Sequence, residues 1–216
     1  MKLIREANWD NAVLVEAAPN GGRNYFIEGV WLQSELKNRN RRWYPKNILE
    51  REVNRYRKEM IESGRAVGEL GHPPTPTINY DRASHKILSL TEDGNNWIGR
   101  AKILSTQIGE TVKRLIDDDV KFGVSSRGLG TLKEDAQRGS VVQNDYRLAT
   151  AGDIVSDPSA PDAFVNGIME GKEWIWNGSI FLEADVAESK SLIESAKSKQ
   201  LEEVALNIFS TMLGKL

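Results

Sequence analysis

The chain has 216 residues, 39% apolar and 28% charged, with 29 Lys and Arg against 31 Asp and Glu for a formal net charge of −2. It contains no Cys and two His, His72 and His85, which removes disulfide scaffolds, Cys-ligated zinc or iron–sulfur sites, Cys nucleophiles and multi-histidine metal centres. The near-neutral balance argues against a protein that coats nucleic acid over its whole surface, and the length predicts one domain plus extras with a real core.

Arg5, Glu6 and Asp10 break up the apolar N-terminus, so no secretory signal is read there. No stretch approaches the roughly 18 apolar residues of a membrane span. With no Cys, the expected compartment is a reducing cytoplasm. Residues 1–22 read as peripheral, with an apolar run Ala12 to Ala18 closed by Pro19-Asn20-Gly21-Gly22, a turn signal. Asn24 to Leu32 is rich in aromatic and β-branched residues and predicts a strand. Pro45 stands at a helix start. Leu49, Val53, Tyr56 and Met60 follow on one helical face, and Ser63-Gly64 ends it. Lys86 to Leu90 and Trp97 to Leu104 predict a hairpin around Asp93-Gly94-Asn95-Asn96. Ile108, Thr111, Val112, Leu115 and Ile116 recur with helical period. Phe122 to Leu132, rich in Gly and Ser, is expected to bend between strands. Tyr146 to Val155 predicts another strand, closed by Asp157-Pro158-Ser159-Ala160-Pro161. From Glu188 to Gly214 the chain loses Gly and Pro; Leu201, Val204, Ala205, Ile208, Phe209 and Met212 form one stripe of an amphipathic helix, docked on the core or presented to a partner.

Three places could carry chemistry. His72 lies in Gly68-Glu69-Leu70-Gly71-His72-Pro73-Pro74, where two prolines forbid a helix and stiffen the loop. The plainer alternative is a surface histidine, and that alternative is stronger for His85 in Asp81-Arg82-Ala83-Ser84-His85. Ser125 lies in Gly123-Val124-Ser125-Ser126-Arg127-Gly128-Leu129-Gly130, where glycines permit close substrate approach and backbone N–H groups could serve an oxyanion. A plain Gly/Ser turn is the simpler reading of the segment, while a P-loop is discounted because the Gly-Lys-Ser/Thr ending is missing. Asp153, in Thr150-Ala151-Gly152-Asp153-Ile154-Val155, is an acid within an apolar strand, either paired in the interior or on an exposed face. Separately, Leu36 to Arg65 carries ten Lys and Arg (37, 39, 41, 42, 46, 51, 55, 57, 58, 65) against four Glu (50, 52, 59, 62), a balance of +6, with Trp43 and Tyr44 interleaved. A solvated helix face, an acidic protein partner and nucleic-acid phosphates are its three readings.

Four segments in this order resemble the prohead core proteases of T4-type tailed phages. They are Asn38-Arg39-Asn40-Arg41-Arg42-Trp43-Tyr44-Pro45, the Gly68 to Pro74 loop, the Gly123 to Gly130 segment and Pro158-Ser159-Ala160-Pro161-Asp162-Ala163. The resemblance covers residues 23–165. It implies a serine endopeptidase of procapsid maturation, similar in fold to herpesvirus capsid maturation proteases. That fold is α+β, a closed or partly closed antiparallel β-barrel core with surrounding helices. The herpesvirus enzymes use Ser-His-His with the second His after the Ser, but both His here precede Ser125, so the resemblance implies a carboxylate in the third role. Asp153, 28 residues beyond Ser125, is the expected one and Glu69 the fallback. The implied triad is therefore Ser125 as nucleophile, His72 as base and Asp153 as the acid that orients it. Ser126 is the adjacent alternative nucleophile; neighbouring strand residues face opposite sides, so only one of the two can meet His72, and the resemblance matches the first.

The resemblance further implies cleavage after Glu in Leu/Ile-x-Glu sequences, of scaffold and capsid proteins and of the chain itself. Ile4-Arg5-Glu6, Leu192-Ile193-Glu194 and Leu201-Glu202-Glu203 are candidate self-cleavage triplets near the ends. No cofactor and no metal are expected. Expected partners are phage scaffold, core and capsid proteins as substrates and further copies of the chain, without nucleic acid or a membrane span. The expected location is the host cytoplasm, inside the phage procapsid. The expected organisation is a β-barrel protease domain with an N-terminal extension over residues 1–185 and a helical tail over 186–216. The competing reading is a non-catalytic β-barrel scaffold- or capsid-binding component, which would not need Ser125, His72 and Asp153 to converge.

Overall fold

A computed structural model describes residues 2–8, 11–17, 23–156, 172–176 and 181–185. The expected tail helix, the Pro158 to Ala163 motif, the domain boundary after residue 185 and the triplets at Leu192 and Leu201 lie outside the described residues. Strand alternation builds the largest sheet. In β6 (Ala83–Asp93) and β7 (Asn96–Ile103) the expected hairpin turns at Gly94 (φ 62°). Trp97, Ala101 and Ile103 of β7 point inward at period two. β3 (Arg23–Gln33) pairs with β7, β2 (Asn11–Ala17) with β3, and the short β5 (Val67–Glu69) with β6, giving the order β2-β3-β7-β6-β5. Trp31, Ile27, Ile87, Leu90 and Ile103 fill the core against it.

The Gly- and Ser-rich segment is not a bend. It is a regular strand, β8 (Gly123–Gly130), with all eight residues buried. Small residues let it lie between two neighbours: β1 (Lys2–Asn8) on one edge and β11 (Arg147–Val155) on the other, both antiparallel. The expectation that the first residues are peripheral is thereby corrected, because β1 places Glu6 opposite Ser126 and Ala7 opposite Ser125. β11 carries register irregularities between Leu148 and Thr150 and between Thr150 and Asp153, and emerges with Asp153 opposite Ser125.

The expected closed or partly closed barrel is not formed. The antiparallel strands fall into separate sheets, and none closes on itself or curls strongly. Closure needs a continuous staggered ladder. Here the edge of the large sheet, β5, is three residues long and runs into Pro73-Pro74, which have no N–H to donate. Its continuation is joined to the β1-β8-β11 sheet by a single-residue bridge between Leu70 and Ile154, not by a ladder. β4 (Arg42–Trp43), β9 (Leu132–Asp135) and β10 (Gly139–Val142) make a small sheet in which β4 runs parallel to β10. β12 (Lys172–Trp176) and β13 (Phe181–Asp185) pair with each other. The fold is α+β.

Helix α1 (Lys46–Tyr56) starts after Pro45 and buries Ile48, Leu49, Val53 and Tyr56. It continues as one π turn, Arg57–Ile61, and ends at Gly64 (φ 72°). Helix α2 (Gln107–Asp117) is capped by Thr106, whose hydroxyl accepts from the Gly109 N–H. Much of the basic segment is engaged within the chain: Arg42 with Glu6, Lys46 with Glu92, and Arg55 with Glu52 and Glu59. Arg51 donates to Asn144 and to the Tyr146 carbonyl. No helix of the described residues is long and apolar enough to cross a membrane.

Candidate active site

Three elements converge on one face of β8. β11 supplies Asp153 through its register with Ser125. The loop after β5 supplies His72: Leu70 bridges to Ile154, and the Gly71 N–H donates to the Ile154 carbonyl at 2.7 Å, so the loop is pinned along β11. Gly71 turns the chain at φ 84°, a conformation that favours glycine. Upstream, Gly68 lies so close to His85 and to the Gly152 carbonyl that a Cβ would overlap both.

Ser125 Oγ lies 2.8 Å from His72 Nε2, and His72 Nδ1 lies 3.0 Å from Asp153 Oδ2. With the carboxylate ionised, the imidazole Nδ1–H donates to Asp153, which leaves the Nε2 lone pair to accept from the serine hydroxyl. Asp153 is fully buried and takes further hydrogen bonds from the Glu69 backbone N–H at 2.9 Å and from Arg127, Nε to Oδ2 at 2.5 Å and Nη2 to Oδ1 at 3.1 Å. Burial pushes the Asp153 carboxyl up. The His72 hydrogen bond and the Arg127 charge outweigh it and hold the carboxyl below its ordinary value. Burial pushes His72 down. Asp153 opposes that, while Arg5 and Arg127 reinforce it, so the imidazole titrates below its ordinary 6.5 and is neutral at neutral pH.

The other candidates lie elsewhere. Ser126, on the opposite face of β8, lines a cavity of about 50 Å³ with Glu6, Asn40 and Tyr44. Glu69 stands behind the site: its carboxylate accepts from the Asn79 N–H at 2.6 Å and faces Arg82 and Arg127 at 3.5 and 3.4 Å. His85 is buried in β6, where Nε2 donates to the Gly152 carbonyl at 3.0 Å and Nδ1 accepts from Ser84 Oγ at 2.9 Å. Burial lowers its pKa to about 4. Among the described residues no group of three or more His, Asp or Glu is arranged to hold a metal ion.

The residue that sequence reasoning missed is Arg127. It is fully buried, its guanidinium lies between Asp153 and Glu69, and its Nη1 donates to the Thr75 carbonyl at 2.5 Å. The signal was available: Arg127 lies two residues after Ser125 in one strand, so both side chains share a face. A cation buried there demands carboxylate partners.

Residues 9–173 match the prohead core protein serine protease family. The chain is 38% identical over 142 residues to the prohead core protein protease of Enterobacteria phage T4, an alignment covering 65% of this chain and 67% of that protein. Its fold is similar to the solved structure of the bacteriophage T4 capsid assembly protease, with a TM-score of 0.69 and 30% identity over 73% of this chain and 98% of that one.

Proposed function

Because the chain belongs to the prohead core protein serine proteases, we propose that its nucleophile is Ser125, its general base His72 and its orienting acid Asp153. The chain is a serine endopeptidase of procapsid maturation and acts within the forming procapsid. The observation that carries the assignment is the unbroken path from Ser125 Oγ through both ring nitrogens of His72 to Asp153, at 2.8 and 3.0 Å.

The chemistry follows from that path. Ser125 Oγ attacks the scissile carbonyl carbon as its proton passes to His72 Nε2. Asp153 stabilises the imidazolium and keeps the tautomer that presents a free Nε2. The imidazolium returns the proton to the leaving amine, the C–N bond breaks, and an acyl ester remains on Ser125. Water, deprotonated by the same Nε2, then hydrolyses the ester and restores the hydroxyl.

The substrates are scaffold and capsid proteins cleaved after Glu in Leu/Ile-x-Glu sequences. The chain itself is cleaved at Glu6–Ala7, in the triplet that β1 lays along β8. The protein self-associates, and residues 186–216 form a tail separable from the peptidase. Light scattering and limited proteolysis read these last two features. The deciding experiment compares Ser125→Ala with Ser126→Ala on a peptide carrying Ile-x-Glu. The Ser125 variant loses cleavage and the Ser126 variant keeps it; the reverse result overturns the assignment.

A further inference from the structure

We propose that His85 is a positioning residue for the reaction: its Nε2–H holds the Gly152 carbonyl in the irregular stretch of β11 and so keeps Asp153 opposite Ser125. This rests on the catalytic assignment above and adds to it what places the acid.

Asp153 reaches its place because β11 gains residues on the way. Arg147 pairs with Leu129 and Leu148 with Gly128. Continued without interruption, that register would set Ala151 opposite Ser125, and an alanine cannot orient an imidazole. The irregularities between Leu148 and Thr150 and between Thr150 and Asp153 together add two residues. Because the side-chain period of a strand is two, the acid moves into register without changing face. Such irregularities leave backbone groups outside the ladder, and buried ones need partners. The Gly152 carbonyl, one residue before Asp153, takes His85 Nε2–H at 3.0 Å.

That donor comes from the other sheet. His85 sits in β6, fully buried, whereas Gly152 belongs to the β1-β8-β11 sheet. The triad is divided in the same way. His72 follows β5 at the edge of the large sheet, and Ser125 and Asp153 stand in the small one. The bond from His85 to Gly152 therefore ties the strand that carries the acid to the sheet that carries the base. One ring tautomer makes this bond. Ser84 Oγ donates to His85 Nδ1 at 2.9 Å, which leaves the ring proton on Nε2, facing the carbonyl. His72 carries the opposite tautomer, with its proton on Nδ1 toward Asp153. The His85 ring is fixed in place. Trp31 meets it edge-on with centroids 6.5 Å apart, and a Cβ on Gly68 would fall 2.2 Å from its Nε2. Gly152 is packed as closely, since a Cβ there would fall 2.5 Å from Val124 and 3.0 Å from Trp31.

The test uses the full chain. In the Ser125→Ala protein at neutral pH, an imidazole N–H correlation spectrum reads both rings in the native fold. His85 is expected with its proton on Nε2 and His72 with its proton on Nδ1; a His85 proton on Nδ1 overturns the proposal. His85→Phe keeps a ring and removes the donor. With Ser125 present, kcat on an Ile-x-Glu peptide falls by about 30-fold or more while KM stays within about threefold, because the acid is displaced and the substrate contacts remain. In the Ser125→Ala background the same substitution moves the low-field Nδ1–H resonance of His72 upfield, as its bond to Asp153 lengthens. His85→Gln, whose amide N–H falls where Nε2–H stood, recovers at least about tenfold of the lost kcat. Native kcat in folded His85→Phe, an unmoved His72 resonance, or a Gln variant no better than Phe overturns the proposal. Where His85→Phe does not fold, the tautomer spectrum decides. Cleavage retained by Ser125→Ala marks a failure of the catalytic assignment instead.

Discussion

Arg127 grips the same Asp153 carboxylate that holds His72, with Nε on Oδ2 and Nη2 on Oδ1. A buried carboxylate between a base and a permanent cation stays ionised, so Arg127 fixes the charge on which the His72 tautomer depends. As a positioning residue it has two readouts. Arg127→Met leaves Asp153 and Glu69 buried without their cation and lowers stability by about 3–5 kcal/mol in urea unfolding. It also moves the acid limb of the kcat/KM profile to higher pH, because the Arg127 charge that depresses His72 is gone. A loss of stability with an unmoved limb would reduce Arg127 to a packing role.

The pH–rate profile of the native enzyme carries the His72 shift directly. The proposed base, His72, works only when deprotonated, and its pKa is held below 6.5 by burial, Arg5 and Arg127. Activity is therefore expected to persist below pH 6.5 and to fall only on further acidification. A half-maximal point above 6.5 in kcat/KM would contradict this.

His85 sets an acid limit on stability rather than on rate. Its folded pKa, about 4, lies below its unfolded value of 6.5, so the unfolded chain binds the proton more tightly. The contribution is present above pH 6.5 and is lost as pH falls toward 4, by about 3 kcal/mol in all. In urea titrations from pH 7 to 4, His85→Gln is expected to show a shallower decline in midpoint than the native chain. Equal slopes would exclude His85 as the source.

Gly68 is expected to tolerate no side chain. A Cβ there overlaps the Gly152 carbonyl, which is backbone, and the His85 ring that donates to it. Gly68→Ala would push β5 off β11 and carry His72 away from Ser125. Activity should fall at least about 100-fold, since an ångström of misplacement costs about that much. The Ser125–His72 separation in a crystal structure of the variant gives the cause.

Local pattern made much of this molecule legible. The α1 face through Leu49, Val53 and Tyr56 and the hairpin at Gly94 are short-range features, and each was readable from spacing or turn chemistry. His72 stood out as one of two histidines, set beside two prolines, and Ser125 as a serine set among glycines. Arg127 escaped because a segment read as a bend gives it no shared face with Ser125, and its carboxylate partners come from β5 and β11, distant in sequence. The strand character of Gly123 to Gly130 was hidden for a related reason: glycines signal bends locally, yet here they allow close packing between two neighbouring strands. The closed barrel inferred from family resemblance failed at β5, whose three residues and following prolines cannot extend a ladder. The part played by β1 was hidden by its position at the end of the chain, since register with β8 is a long-range property.

Ser125 is 2% exposed, with β1 along one edge of its strand and β11 along the other. What shields it from a peptide carbonyl shields it equally from small electrophiles. A fluorescent serine-directed phosphonate would therefore label only molecules that have opened. The labelled fraction at any moment of assembly would be a census of molecules whose Ser125 has become accessible, readable on a gel without any substrate.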